Sequence, residues 1–269
     1  MGKPEVAATW ARHDVVLLKF VRRGFRVERA LVFTSDNGGP IKLQESGSNN
    51  FPLRGGKYAD LEGGVRAAAF VSGGVVPAAY RGGVSDAVVH IADWYVTLAT
   101  LAGLPFPTDE RAAAAGLPPL DSADAWPALF GGAAPYTHAE IPLSSRALLD
   151  STNGLKLVLD TQNPSGWQGV RYPNATSNAH NPNVGLDCSA GCLFNVSADP
   201  RETTDLGEAQ PAARASMVAR LAELSKGFFN NSDVGVDSCP PGVLKDGLPC
   251  ACWWAKNKRG GVLGPYQEV

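Results

Sequence analysis

A chain of 269 residues with 44% hydrophobic side chains carries enough apolar material for one large globular domain, or a domain with a smaller companion. Its 24 basic and 26 acidic residues leave a formal net charge of -2, so no long-range field recruits nucleic acid or an anionic membrane, and partners must be inferred from local sites. No apolar run approaches the ~18 residues of a membrane span, and the longest early one, residues 15–20, is interrupted by Lys19.

The first thirty residues are rich in Arg and Val without a clear period, and suit a short helix leading through VRRGFRVERA into the first strand. Residues 30–33 (ALVF) are short, apolar and followed by Ser, Asp, Asn and Gly, which is how a buried parallel strand ending in a loop reads. Residues 65–71 (VRAAAFV) are expected as a second strand between two glycine pairs. From 85 to 101, Val88, Val89, Ile91, Tyr95, Val96 and Leu98 recur at helical spacing, with Ser85 suited to the N-cap and Gly103 to the stop. The four prolines of residues 103–126 mark a surface connection. Beyond it, residues 154–160 (GLKLVLD) and 192–197 (CLFNVS) read as strands. Residues 211–226 read as a helix that starts on Pro211 and carries Met217, Val218, Leu221 and Leu224 on one face. That order implies an α/β core over residues 1–135 and a small α+β companion over 136–269, with antiparallel strands, a helix and a Cys-rich tail.

Two loops hold residues able to do chemistry. Ligands in open α/β sheets collect beyond the carboxyl ends of strands, where FTSDNGG places Asp36 and Asn37. A carboxylate beside a carboxamide offers adjacent hard oxygens of the kind Ca²⁺ or Mg²⁺ takes, and Gly38 and Gly39 permit the reversal that aims them. The same Asn-Gly pair is equally a hairpin turn, and spacing does not separate the two readings. The next loop, PLRGGKYADLEGGVR, sets Arg54, Lys57, Glu62 and Arg66 among four glycines, which lets amides and cations approach an anion closely. It does not fit the Walker pattern, so a nucleotide reading loses; a solvated basic loop stands beside the anion site as an alternative.

The rear half has the marks of an oxidising, glycosylating compartment. Five cysteines, at 188, 192, 239, 250 and 252, fall in the last third with three Asn-x-Ser/Thr sequons at Asn174, Asn195 and Asn230. Disulfide pairing with one thiol left over is the expected use, since the spacings are not those of a zinc site. The start carries no secretory signal and no myristoylation signal. A lumenal rear half behind such a start implies that the true N-terminus is missing.

In order and spacing, FTSDNGG, SNNFPLRGGKYADLEGGVRAAAFV, SDAVVHIADWYVTLATLAG and LDSADAW resemble the second half of the catalytic domain of sulfatases, nearest to the arylsulfatase B type. Similarity is strong from Leu31 to Trp126 and weaker through CLFNVSADPRETTDL and GPYQ. The resemblance implies an alkaline-phosphatase-like α/β sandwich, here partial, followed by a small antiparallel sheet with a helix. It implies that Asp36 and Asn37 ligate the active-site Ca²⁺ and that Lys57 contacts the sulfate of the substrate. Glu62 and Arg66 match a structural segment in which the two are expected to pair. His90 matches a buried, satisfied histidine in the helix with Asp93, and residues 199–206 match a turn with no catalytic role.

Sulfatases make their nucleophile, formylglycine, from the Cys or Ser of a C-x-P-x-R signature, and no cysteine here begins one. The expected function is therefore hydrolysis of small-molecule or glycan sulfate esters by a complete protein of which this chain is the C-terminal part, the chain alone being inactive. The full protein is expected to be secreted or to lie in the lysosomal or endomembrane lumen. A metal-dependent phosphatase or phosphodiesterase of the same superfamily, and a non-catalytic binder of sulfated glycans, are the alternatives.

Overall fold

The computed structural model describes residues 15–19, 29–41, 48–105, 108–132, 135–166, 185–228, 244–245 and 248–249. Cys239, Cys250 and Cys252, the sequons at Asn174 and Asn230, and the terminal GPYQ lie outside them. The chain divides into two compact units, Met1–Ala222 and Glu223–Val269.

In chain order the first unit contains β1 (Val15–Lys19), β2 (Arg29–Thr34), α1 (Glu62–Val65), β3 (Ala69–Gly73), α2 (Asp93–Leu101), α3 (Glu110–Ala114) and α4 (Trp126–Leu129). The strands β4 (Glu140–Ser144), β5 (Ala147–Asp150), β6 (Leu155–Gln162) and β7 (Leu186–Asn195) follow, then α5 (Pro211–Leu224), whose last two residues enter the second unit. Within the second unit, β8 (Leu244–Lys245) pairs antiparallel with β9 (Leu248–Pro249).

β2 is the middle strand of a three-stranded sheet, order β1-β2-β3. Both its pairings are antiparallel, which corrects the parallel strand read from its composition. The helix expected across the first thirty residues is likewise corrected over Val15–Lys19, a strand paired along its length with β2. Ala30, Val32 and Phe33 are buried, and the Phe33 ring stacks on that of its cross-strand partner Phe70 with centroids 5.0 Å apart. β3 starts at Ala69, later than the expected strand, because Val65 closes the short turn of α1.

Helix α2 begins at Asp93, not at Ser85. The Ser85 hydroxyl accepts from Ala87 N in a local turn, and Val88 pairs instead in an isolated parallel bridge with Tyr136. A tertiary pairing thus takes the first half of the helical pattern. Asp93, Val96 and Thr97 are the fully buried residues of the helix.

The second sheet is an antiparallel meander, order β4-β5-β6-β7. Its alternation puts Ile141, Leu149, Lys156, Val158, Cys192 and Phe194 on one face and Leu148, Leu157 and Leu193 on the other. On the first face, Ile141, Leu149, Val158 and Phe194 share one buried cluster with Ala59 and Leu61. The glycine-rich loop is thereby rooted in the second sheet. The register of β6 and β7 shifts between Val158 and Asp160, and a disulfide joins Cys188 to Cys192 across the bulge. α5 follows its expected bounds closely and buries Met217 and Leu221, while its Arg220 pairs with Glu140 of β4.

Candidate functional site

Asp36 and Asn37 occupy the reversal directly after β2. Asp36 Oδ1 accepts the Asn37 amide at 2.8 Å and the Asn37 Nδ2 at 2.6 Å. Among the described residues no hydrogen bond reaches Asp36 Oδ2 or Asn37 Oδ1, so two oxygens of the pair stay available to a cation. The turn is held from beneath: Ser35 Oγ donates to Asn37 O at 2.7 Å, and the Ser35 amide to Ala68 O at 2.9 Å.

The two loops lie against each other through their backbones. Gly38 N donates to Gly64 O at 2.9 Å, and Lys57 N to Gly39 O at 3.2 Å. Such contact needs residues without side chains: a Cβ on Gly38 would stand 1.6 Å from Gly63 O, and one on Gly56 would stand 2.4 Å from Gly39 O. Asn50 bridges the same pair of loops. Its Oδ1 accepts from Gly39 N at 2.9 Å, and its Nδ2 donates to Gly39 O at 2.8 Å and Gly55 O at 3.1 Å.

Three cations sit in the loop, and the structure separates their roles. Arg54 is structural, its Nε donating to Ser165 O at 2.6 Å and its Nη1 to Glu202 O at 2.9 Å. Burial pulls its guanidinium below the ordinary arginine value, against the attraction of Glu202 and Asp199. Arg66 lies 3.9 Å from Glu62, as expected for that pair. Lys57, half-buried, has no carboxylate within ion-pair distance among the described residues, and its Nζ stands 5.6 Å from the Tyr58 ring centroid.

Sequence reasoning missed Asn50, Lys156 and Glu202. Lys156 Nζ is 2.9 Å from Glu62 Oε1 and 2.9 Å from Glu202 Oε1, deep in the protein. A lysine inside the apolar strand GLKLVLD was its one local sign; nothing local marks Glu202.

Asp93 opens α2, whereas His90 precedes the helix and is only half-buried, which corrects the buried helical histidine that the resemblance implied. Asp93 is fully buried and accepts from His90 N, Ala123 N, Thr137 Oγ1 and His138 Nε2 at 2.6–2.9 Å. Burial pushes its carboxyl up, but those hydrogen bonds together hold it below the usual carboxylate value. His90 Nδ1 accepts from Ala92 N at 3.3 Å. No group of three or more His, Cys, Asp or Glu suited to a metal occurs among the described residues. No helix among them is long and apolar enough to cross a membrane.

No family model matches the chain. Over 96% of its length it is 30% identical to arylsulfatase J of Mus musculus, covering 42% of that protein, and over 75% it is 28% identical to arylsulfatase A of Homo sapiens, covering 38% of it. The chain thus spans about two fifths of the length of these curated relatives. Among solved structures, Ps i-CgsB in complex with k-i-k-neocarrahexaose matches 73% of this chain and 36% of its own, at 24% identity and a TM-score of 0.48. A further match, described under metabolism of multiple glycosaminoglycans by Bacteroides thetaiotaomicron, covers 73% of this chain and 38% of its own, at 24% identity and a TM-score of 0.45. The mixed helices and sheets are those of a partial α/β domain. These sequence matches support a likeness of the chain to the C-terminal part of sulfatases.

Proposed function

We propose that this chain supplies the sulfate-gripping and part of the metal-holding apparatus of a sulfate-ester hydrolase, with Asp36 and Asn37 as Ca²⁺ ligands and Lys57 as the group on the sulfate. The observation that carries the reading is the backbone bond from Lys57 N to Gly39 O, which sets the lysine loop beside the Asp36–Asn37 turn. Residues 1–135 then form the site-bearing part and 136–269 a separate subdomain, of which the sheet β4–β7 packs under the glycine-rich loop.

The donor set fits a hard cation, because both available atoms are oxygens, one from a carboxylate. It is incomplete: Ca²⁺ takes about six to eight oxygens, and this turn offers Asp36 Oδ2 and Asn37 Oδ1. Bound calcium supplies polarisation of the sulfate ester. Lys57 attracts the sulfate oxygens and favours them further as negative charge builds up on transfer. A stabiliser of charge lowers no complete barrier without an attacking group, and the 269 residues contain no C-x-P-x-R. Incubated with an aryl sulfate, the chain is therefore expected to give no turnover above background. Robust turnover would overturn that part of the proposal.

The same observation supports a second reading, a chain that binds sulfated saccharides without hydrolysing them. Saccharide affinity abolished by Lys57→Ala, with no release of sulfate, is its signature. The Cys188–Cys192 disulfide suits a secreted or lumenal setting for either reading.

A further inference from the structure

Lys156 sits in mid-strand with no exposed surface, a position where an ammonium persists only when compensated. Its two carboxylate partners are themselves buried, Glu202 fully and Glu62 with 6% of its surface exposed. Glu202 Oε2 also accepts the Glu62 amide at 2.7 Å, and so serves the first turn of α1, whose N-cap Leu61 has no capping side chain. Glu202 Oε1 lies 2.9 Å from the ammonium, a buried ion pair. Glu202 holds this place with φ +53, a conformation non-glycine residues rarely adopt.

Arg54 reaches the same corner from the other end of the loop, donating to the Glu202 carbonyl. Both ends of the stretch that carries Lys57 are therefore fastened to residue 202, one through Arg54 and the other through Glu62. A buried ion network of this kind is a poor source of net stability, since well-packed apolar replacements often match it. It does fix geometry, because each charge is satisfied in one arrangement of the loop.

We propose that Lys156, Glu202, Glu62 and Arg54 are positioning residues that clamp both ends of the glycine-rich loop and so set where the Lys57 ammonium stands. This inference rests on the reading of Lys57 as the group that binds sulfate.

The test uses the 269-residue chain, with 4-nitrophenyl sulfate as probe and two readouts, probe affinity and backbone amide exchange. Lys156→Met is expected to speed exchange of the amides of residues 54–66 while those of β4 and β5 keep their protection, and to weaken probe binding roughly tenfold or more. In a Lys57→Ala background the same substitution should cost no further affinity, because its effect passes through the lysine. Glu202→Gln keeps an acceptor for the Glu62 amide and should act in the same direction more mildly; it decides the question if Lys156→Met does not fold. Unchanged loop exchange in the variants, or an equal loss of affinity with and without Lys57, overturns the clamp. If Lys57→Ala alone leaves probe affinity unchanged, the sulfate reading fails, and loop exchange still decides whether the clamp holds the loop.

Discussion

The backbone amide of Lys57 donates to the carbonyl of Gly39 across 3.2 Å, joining two loops that stand eighteen residues apart in sequence and putting a cation-bearing loop beside a pair of oxygen ligands. Main chain, not side chain, makes this junction, so the site's geometry depends on glycines that do no chemistry.

Gly38→Ala tests that dependence. The new Cβ would meet Gly63 O at 1.6 Å, and the obstacle is backbone, so the two loops must separate. A loss of about 2 kcal/mol or more is expected, read as a lower urea midpoint at unchanged slope. A midpoint equal to that of the parent chain would show that the loops are not in contact as described.

Two buried carboxyls give stability opposite dependences on pH. Asp93 is raised by burial but held below its ordinary 3.8 by the hydrogen bonds from Thr137, Ala123, His138 and His90. A depressed carboxyl contributes stability that is present above the ordinary value and lost as pH falls through the folded one. Glu202 is raised above its ordinary 4.5 by burial, with the attraction of Lys156 opposing and the repulsion of Glu62 adding to it. A raised carboxyl contributes stability that is complete below 4.5 and lost as pH rises through the folded value. The melting temperature of Glu202→Gln should therefore fall less steeply than that of the parent as pH rises above 4.5. Parallel profiles for the two proteins would contradict the assignment.

Removing the disulfide should have a modest effect. Cys188 and Cys192 are four residues apart, so their bond closes a very short loop and restricts the unfolded chain little. Cys188→Ala/Cys192→Ala is expected to lose about 2 kcal/mol, with the loops around Lys57 and Asp36 unaffected. A collapse of the fold would mean that the bulge between β6 and β7 depends on the bond.

Much of the architecture was legible in the sequence where the pattern is local. β6, the end of β7 and α5 announce themselves by apolar runs and by Pro211 at a helix start, whereas the first six residues of β7, from Leu186, are too mixed in composition to read as a strand. Direction was not legible for β2, because a short apolar run reads alike in parallel and antiparallel sheets, and its partners lie on both sides in sequence. Val88 fits a helix by spacing, yet its pairing with Tyr136, a non-local event, prevails. The site shows the same division. Asp36, Asn37 and Lys57 stood out as residue types in glycine-rich loops, whereas Glu202 reaches Glu62 across 140 residues, a distance over which one sequence carries no pairing signal.

The central claim is that Lys57 and the Asp36–Asn37 turn serve one sulfate ester, and the most direct measurement is titration of 4-nitrophenyl sulfate into the chain with calcium and with chelator. Calcium is expected to tighten binding severalfold in the parent, and Asp36→Ala and Lys57→Ala should each weaken it, their combination by less than the sum. Affinity indifferent to calcium and to both substitutions would contradict the account.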